Sequence, residues 1–237
     1  MLPIIDYPTY TLTIPSNGKK VKYRPFTVKE QKLLLMALES DEESDMMNAI
    51  KQIIINCTMG KIDPEEIAPY DAEYIFIHLR GKSIGEVTQL SYKCKNNVGE
   101  KKDKECGHIQ QVELNINDIK LREIKEHNPL IEITKNVGFE MGYPSLDSTK
   151  PDDTESLIDY LANVIKNIYD GDTIYKGKDL KHEELVEWIE SLPQDILDKM
   201  VEFISTIPKL ETDVHFKCDA CGFEQDIHLE GLQDFFA

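Results

Sequence analysis

The chain has 237 residues, with 27 basic and 44 acidic side chains and a formal net charge of −17 at pH 7. A chain of this length can bury a substantial core, as one large domain or as two small ones. Its acidity argues against binding to nucleic acid or to an anionic membrane surface, because both kinds of binding depend on basic side chains.

The first predicted element is a β-hairpin over residues 9–25. Alternating apolar side chains flank Ser16-Asn17-Gly18-Lys19, a sequence typical of a tight turn. Thr27 and Glu30 then have the spacing of a helix capping box, which predicts a helix through Leu38. A second helix is predicted from an apolar face made of Met46, Ile50, Ile53, Ile54 and Cys57.

Residues 63–85 are predicted to be mostly helical. Asp63-Pro64-Glu65-Glu66 has a proline and acids in the order favoured at the start of a helix, so a short helix is expected there. The next helix is predicted at Asp71–Leu79. It contains His78, which has no second ligand at a suitable spacing and is expected to be a core or rim residue. Residues 1–85 thus form an N-terminal region of hairpin plus helices.

A first cysteine-bearing arm is predicted at residues 86–119. Alternating apolar residues lead into Tyr92-Lys93-Cys94 and away from Cys106-Gly107, as in two strands joined by a knuckle. Between the two thiols, residues 95–105 are polar and predict a flexible excursion.

Residues 120–210 separate this arm from the second and are predicted to be a mainly helical insertion. A strand is expected at Ile131–Val137, and an amphipathic helix from about Thr154 to Tyr169. Asp170-Gly171-Asp172 predicts a turn followed by a loop through Gly177. Two further helices are predicted from the apolar faces Leu185, Trp188, Ile189, Leu192 and Ile196, Leu197, Met200, Val201, Ile204.

The second arm, residues 211–237, repeats the pattern of the first. Phe216-Lys217-Cys218 corresponds to Tyr92-Lys93-Cys94, and Cys221-Gly222 corresponds to Cys106-Gly107. A glutamine follows three residues after each glycine, with alternating apolar residues around it. The two arms are therefore an internal repeat of one supersecondary unit. The glycine of each knuckle permits positive φ.

Two such knuckles that face each other would supply four thiolates, the ligand set of a closed tetrahedral zinc site. The predicted ligands of this structural zinc ion are Cys94, Cys106, Cys218 and Cys221. Four sulfurs leave no position for water or a substrate, so the metal would stabilise the fold. The alternative is four buried or disulfide-paired cysteines without a metal.

The other histidines and cysteines have simpler interpretations. His215 and His228 could replace a thiol in a three-sulfur site, although a solvated strand face is the favoured interpretation. Cys57 is expected to be a small core residue. The cysteine pattern suits a reducing compartment. No signal peptide is recognised, and no apolar run is long enough to cross a membrane.

No sequence feature points to catalysis. The chain lacks a Gly-rich phosphate loop, a nucleophile elbow and a His-Glu-x-x-His pair, so neither an enzymatic activity nor a small-molecule substrate is expected. Close to the C-terminus, Leu232, Phe235 and Phe236 form an apolar tail. Core packing is one interpretation of this tail, and a docking segment for a partner protein is the other.

The stretches Tyr10–Lys19 and Val21–Ala37 resemble the opening of T4-like phage baseplate hub subunits or hub-assembly proteins, and the Cys-Gly repeat after a helical region also fits that group. The resemblance implies a non-enzymatic protein that helps to assemble the central hub of the tail baseplate. Its partners would be other hub or tape-measure proteins. It would act in the host cytoplasm during assembly and, if retained, in the virion tail.

The expected architecture is α+β: an N-terminal β-hairpin, helical segments, and a split zinc-ribbon-like pair of cysteine hairpins that bracket a helical insertion. An alternative function is a zinc-ribbon adaptor of a transcription or nucleic-acid complex, which a basic cluster on the ribbon would favour. Only Lys101, Lys102 and Lys104 offer such a cluster, and acids are interleaved with them. A third possibility is a hydrolytic enzyme with zinc at an open site.

Overall fold

A computed structural model describes residues 6–40, 43–98, 104–122, 127–146, 148, 151 and 153–236. The chain divides into two compact units. Unit 1 comprises Met1–Pro64, Tyr70–Arg122 and Lys209–Ala237, and unit 2 comprises Glu65–Pro69 and Glu123–Pro208. Helices and strands occur in both units, which confirms the predicted α+β class.

Unit 1 begins with a hairpin of two antiparallel strands, β1 (Tyr10–Thr13) and β2 (Lys20–Tyr23). Gly18 in the turn has a φ of +68°, a conformation that glycine adopts without steric cost. Leu12 and Val21 lie opposite each other and are buried. The turn chemistry and the apolar alternation therefore predicted this hairpin correctly.

Three helices follow the hairpin: α1 (Val28–Leu38), α2 (Glu43–Cys57) and α3 (Pro69–Ser83). At the start of α1, the Thr27 N–H donates a hydrogen bond of 2.8 Å to the Glu30 carboxylate, as expected for a capping box. None of the helices in the described ranges is long and apolar enough to cross a membrane.

The predicted helix at residues 63–66 is wrong. Pro64 and Glu65 lie in a turn, and Pro69 instead occupies the first position of α3. His78 in α3 is partly buried and its Nδ1 lies 2.9 Å from the Tyr74 carbonyl oxygen. Burial lowers the pKa of His78, in keeping with a rim residue.

Five short strands continue unit 1: β3 (Val87–Lys93), β4 (Asn97–Val98), β5 (Lys104–Glu105), β6 (Ile109–Asn115) and β7 (Lys120–Arg122). β3 and β6 pair antiparallel along their whole length, and β4 pairs with β5 between them. A 3-10 turn at Ile116–Asp118 connects β6 to β7.

Unit 2 consists of β8 (Leu130–Glu132), β9 (Val137–Met141), α4 (Thr154–Asn163), β10 (Ile165–Asp170), β11 (Thr173–Lys176), α5 (His182–Glu190) and α6 (Gln194–Ser205). The strands form an antiparallel sheet in the order β11-β10-β9-β8. Phe139 of the sheet shares one buried core with Leu161, Leu185 and Met200 from the three helices.

The predicted helix over 154–169 ends early, at Asn163, and the chain continues as β10. The apolar spacing misled the prediction because β10 contains a bulge between Ile165 and Asn167. In a regular strand, side chains three positions apart point to opposite faces of the sheet. The extra residue of the bulge allows Ile165 and Ile168 to be buried together. That spacing is the one an amphipathic helix has, so the sequence pattern indicated the wrong element.

The insertion also contains more sheet than the mainly helical prediction allows. A single strand is expected at residues 131–137. This range instead contains the end of β8, a turn and the first residue of β9. Asp170-Gly171-Asp172 does form a turn, but the loop expected after it contains β11. The two further helices, α5 and α6, lie close to their predicted positions.

The chain returns to unit 1 through β12 (Lys209–Lys217), β13 (Glu224–Glu230) and the short helix α7 (Gly231–Phe236). These two strands and β7 form a sheet in the order β13-β12-β7. Arg122, the last residue of β7, lies opposite Lys209, the first residue of β12. The chain therefore leaves unit 1 and re-enters it at neighbouring positions.

The apolar C-terminal tail is part of the core of unit 1. Leu232 is 5% exposed and Phe235 is fully buried. The side chain of Phe236 lies outside the described residues. Leu232 and Phe235 are thus core residues of the folded chain and not the exposed docking segment considered above.

Candidate metal centre

Four cysteine sulfurs of unit 1 lie together where the two arms meet. Cys94, Cys106, Cys218 and Cys221 each place one Sγ so that all four atoms are within 4.8 Å of one another. Cys94 Sγ lies 3.8 Å from Cys221 Sγ, and Cys106 Sγ lies 3.8 Å from Cys218 Sγ. The structure brings together all four predicted ligands, two from each arm.

The spacing of the sulfurs fits a tetrahedral metal ion. Metal–sulfur bonds of about 2.3 Å in a tetrahedron place neighbouring sulfurs about 3.8 Å apart. A disulfide would instead require an S–S distance of about 2.05 Å, and all the cysteines of the chain are free thiols. The geometry therefore favours the metal-binding interpretation over the disulfide-paired alternative.

The backbone of the two knuckles is the same. In the second arm, the Cys218 N–H donates to the Phe223 carbonyl oxygen at 2.9 Å, and the Gly222 N–H donates to the Cys218 carbonyl oxygen at 2.8 Å. In the first arm, Cys94 and Gly107 make the corresponding bonds, at 2.8 and 3.0 Å. The two glycines have φ angles of +68° and +71°. The sequence repeat is therefore also a structural repeat.

The segment between the thiols of the first arm departs from the predicted flexible excursion. β4 and β5 pair at its base, with Asn97 opposite Glu105. The Cys106 N–H donates to the Asn96 carbonyl oxygen at 2.7 Å. This hydrogen bond closes the base of the excursion, so the extra residues leave the knuckle geometry intact. Residues 99–103, which include two of the three lysines considered above, lie outside the described residues.

The thiols differ in their tendency to ionise. The pKa of Cys221 is lowered to about 6, mainly because the Phe223 backbone N–H donates a hydrogen bond to its sulfur. The Asn96 side chain lies 3.6 Å from the Cys221 Sγ and lowers the pKa further. Burial raises the pKa of Cys94 to about 12. Four thiolates this close would repel one another strongly without a cation between them. This donor set therefore fits a bound metal ion, whose charge permits all four sulfurs to ionise.

Two glutamines hold the arms against each other. Gln110 of the first arm donates through Nε2 to the Lys217 carbonyl oxygen at 2.9 Å, and its Oε1 accepts the Asp219 N–H at 2.8 Å. Gln225 of the second arm donates to the hydroxyl oxygen of Tyr92. These are the glutamines that recur three residues after each knuckle glycine. Their recurrence is the sequence signal of this role, but recurrence alone does not say which groups the two side chains contact.

Replacing Gln110 by alanine should loosen the centre. The Lys217 carbonyl and the Asp219 N–H would lose their partner, so the free energy of unfolding should fall by about 1 kcal/mol. Metal affinity should fall about tenfold, as is usual when a group that orients ligands is removed. Gln111→Ala is the matched control, because Gln111 is the next residue and its side chain donates a hydrogen bond of 2.9 Å to the exposed Ser91 hydroxyl, within the first arm. Chelator competition and thermal melting measure both effects, and equal effects of the two substitutions would contradict this role for Gln110.

The remaining candidates lie away from the sulfurs. His215 pairs with Asp226 at 3.1 Å and His228 with Asp213 at 2.9 Å, and the side chains of both histidines are exposed. Cys57 is buried in α2 as predicted and is not part of the cluster. Within the described ranges, the donor set consists of four sulfurs, which fill a tetrahedral coordination sphere. Such a centre can tie chain segments together.

Comparison with known proteins gave one finding. A family model described as T4 bacteriophage base plate protein matches residues 7–237, which is nearly the whole chain. No curated protein and no solved structure matched. The matched range includes all of unit 2, all of unit 1 except residues 1–6, and the four cysteines of the cluster.

Proposed function

This chain belongs to the family of T4 bacteriophage base plate proteins, and we propose that it acts in the assembly of the central hub of the tail baseplate. The match over residues 7–237 is the observation that carries this proposal. The activity would consist of contacts with other hub or tape-measure proteins, made in the host cytoplasm while the tail is built. The same contacts would persist in the virion tail if the protein stays in the particle.

The proposed role is non-enzymatic. A four-sulfur centre offers no open position to a water molecule or a substrate, which argues against a hydrolytic metal site. The net charge of −17 argues against an adaptor that binds nucleic acid through its phosphates. Both properties agree with a protein that works through protein–protein contacts.

We propose zinc as the metal and a structural role for it. Zinc favours four-coordinate tetrahedral sites made of cysteine thiolates, and a donor set of four sulfurs is typical of its structural sites. The centre joins segments far apart in sequence, since Cys106 and Cys218 are 112 residues apart. Metal binding would thus close a long loop and contribute directly to the stability of unit 1.

The function can be tested in a phage that lacks this chain. We expect such a phage to accumulate incomplete baseplates without a hub, visible by electron microscopy of the lysate, and to give few infective particles. Supplying the intact chain during infection should restore both. Supplying Cys218→Ala should restore much less than Cys57→Ala, because Cys57 is buried but lies outside the cluster. A normal yield of complete baseplates in the absence of the chain would overturn the proposal.

A further inference from the structure

One edge of the sheet in unit 2 has no further strand paired to it among the residues that the structure describes. β11 is the edge strand, and every one of its residues is exposed. Ile174 is 58% exposed and Tyr175 is 45% exposed. Among the described strands of three or more residues, no other is exposed at every position. An edge of this kind presents peptide N–H and C=O groups that can pair with another strand.

The hairpin turn determines which peptide groups face outward. Gly171 has a φ of +57° and, with Asp172, forms the two-residue loop between Asp170 and Thr173. The residues that flank such a loop exchange hydrogen bonds with each other, and the pattern alternates along an antiparallel pair. The backbone groups of Thr173 therefore face β10, and those of Ile174 face the open edge.

The sequence along this edge is complementary to itself. When Asp172-Thr173-Ile174-Tyr175-Lys176 is laid antiparallel to an identical segment and centred on Ile174, the two isoleucines lie opposite each other. Asp172 then lies opposite Lys176 of the second copy at both ends. Within the described ranges, neither Asp172 nor Lys176 has an ion-pair partner in its own chain. Opposite charges in directly facing positions stabilise strand pairs, and like charges there destabilise them.

We propose that two copies of this chain associate through β11, with the two strands paired antiparallel about Ile174. The arrangement has twofold symmetry, since the same segment contributes on both sides. The other edge of the sheet does not have this pattern. If two copies of β8 were paired antiparallel about Leu130, Glu132 of one copy would lie opposite Asn128 of the other, so its charge would face no opposite charge. The pairing extends over one short strand, so the association should be reversible and dependent on concentration.

Charge exchange tests the proposal. In a dimer of the Asp172→Lys variant, the new lysine of each copy lies opposite Lys176 of the other copy. In a dimer of the Lys176→Glu variant, the new glutamate of each copy lies opposite Asp172 of the other. Like charges therefore face each other at both ends of the pairing in either variant. Each substitution alone should weaken self-association about tenfold or more, measured by sedimentation velocity over a range of concentrations. An equimolar mixture of the two variants should regain the association as a mixed dimer. A chain that carries both substitutions should regain it as well.

Hydrogen exchange at single residues supplies a second readout. The Ile174 amide should exchange more slowly as the concentration rises, whereas the Thr173 amide, already bonded to β10, should not change. The proposal is overturned if the intact chain stays monomeric, or if the mixture of variants fails to regain association. Protection of Ile174 only after other base plate proteins are added would also overturn it, and would assign the edge to a strand of a different protein.

Discussion

Replacing Cys218 by serine is expected to abolish metal binding at the proposed centre and to lower the free energy of unfolding by on the order of 3–5 kcal/mol. Cys218 is 1% exposed and lies 3.8 Å from Cys106 across the two arms. With one sulfur missing, the remaining three hold a tetrahedral metal ion weakly. The free energy of metal binding, which stabilises the folded chain by joining segments 112 residues apart, would then be lost.

The measurement is the zinc content of the purified native protein, combined with thermal melting with and without a chelator. About one zinc ion per chain is expected for the intact protein, and it should be released together with unfolding. Cys57→Ala is the control, since Cys57 is also buried but belongs to α2 and not to the cluster. Its zinc content should equal that of the intact chain. Native protein without metal, or a Cys218→Ser variant with an unchanged melting curve, would contradict the proposed centre.

The cysteine cluster could be predicted because its signal is local. Each knuckle repeats an aromatic residue, a lysine and a cysteine, and then a cysteine followed by glycine. The glycine is required because Gly107 and Gly222 have positive φ. The long spacing between Cys94 and Cys106 hides this repeat from a search for two thiols three positions apart. It remains recognisable because the extra residues form a side hairpin closed at its base.

Other features depend on contacts that sequence spacing does not record. The bulge in β10 gives Ile165 and Ile168 the spacing of a helix face, so periodicity alone indicated the wrong element. Burial of Leu232 and Phe235 is decided by the packing of α7 in unit 1. An apolar segment near a chain end has the same composition whether it packs inward or remains free. Composition could therefore not distinguish the two outcomes.

The connection between the units explains how the two arms can meet. The larger segment of unit 2, Glu123–Pro208, is inserted between β7 and β12, which are neighbouring strands of one sheet. Since Arg122 and Lys209 lie opposite each other, the insertion begins and ends at adjacent positions in unit 1. The separation of the arms in sequence therefore imposes no separation in space. An insertion with adjacent ends is the arrangement that a host domain tolerates best.

Replacing Glu30 by glutamine is expected to destabilise unit 1 by about 3–5 kcal/mol at neutral pH, because it leaves a largely buried guanidinium without its counter-charge. The side chain of Glu30 is 1% exposed and that of Arg24 is 19% exposed. The two groups form a bidentate pair, with N–O distances of 3.0 and 3.1 Å. The Thr27 N–H adds a third hydrogen bond to the carboxylate. Glutamine keeps the shape of the side chain but removes the charge.

The same pair predicts how stability changes with pH. Burial opposes ionisation of Glu30, but the hydrogen bonds from Arg24 and Thr27 outweigh it and lower the pKa to about 2, from an ordinary value of 4.5. A carboxyl with a lowered pKa in the folded state contributes stability that is fully present above its ordinary pKa and is lost as the pH falls through the folded value. The contribution, about 3 kcal/mol, should therefore disappear between about pH 5 and pH 2, and Glu30→Gln should flatten this part of the curve.

Glu86→Gln provides the matched control for Glu30→Gln. Glu86 pairs with Lys82 at 2.8 Å, but both side chains are more than 40% exposed. Solvent screens such a pair, so its loss should change the free energy of unfolding far less than the loss of the Glu30 charge does. Urea unfolding of both variants across the acid range separates the two cases. Equal destabilisation by the two substitutions would show that the buried Arg24–Glu30 pair stabilises unit 1 no more than the exposed Lys82–Glu86 pair does. The buried pair would then not account for the acid sensitivity of unit 1.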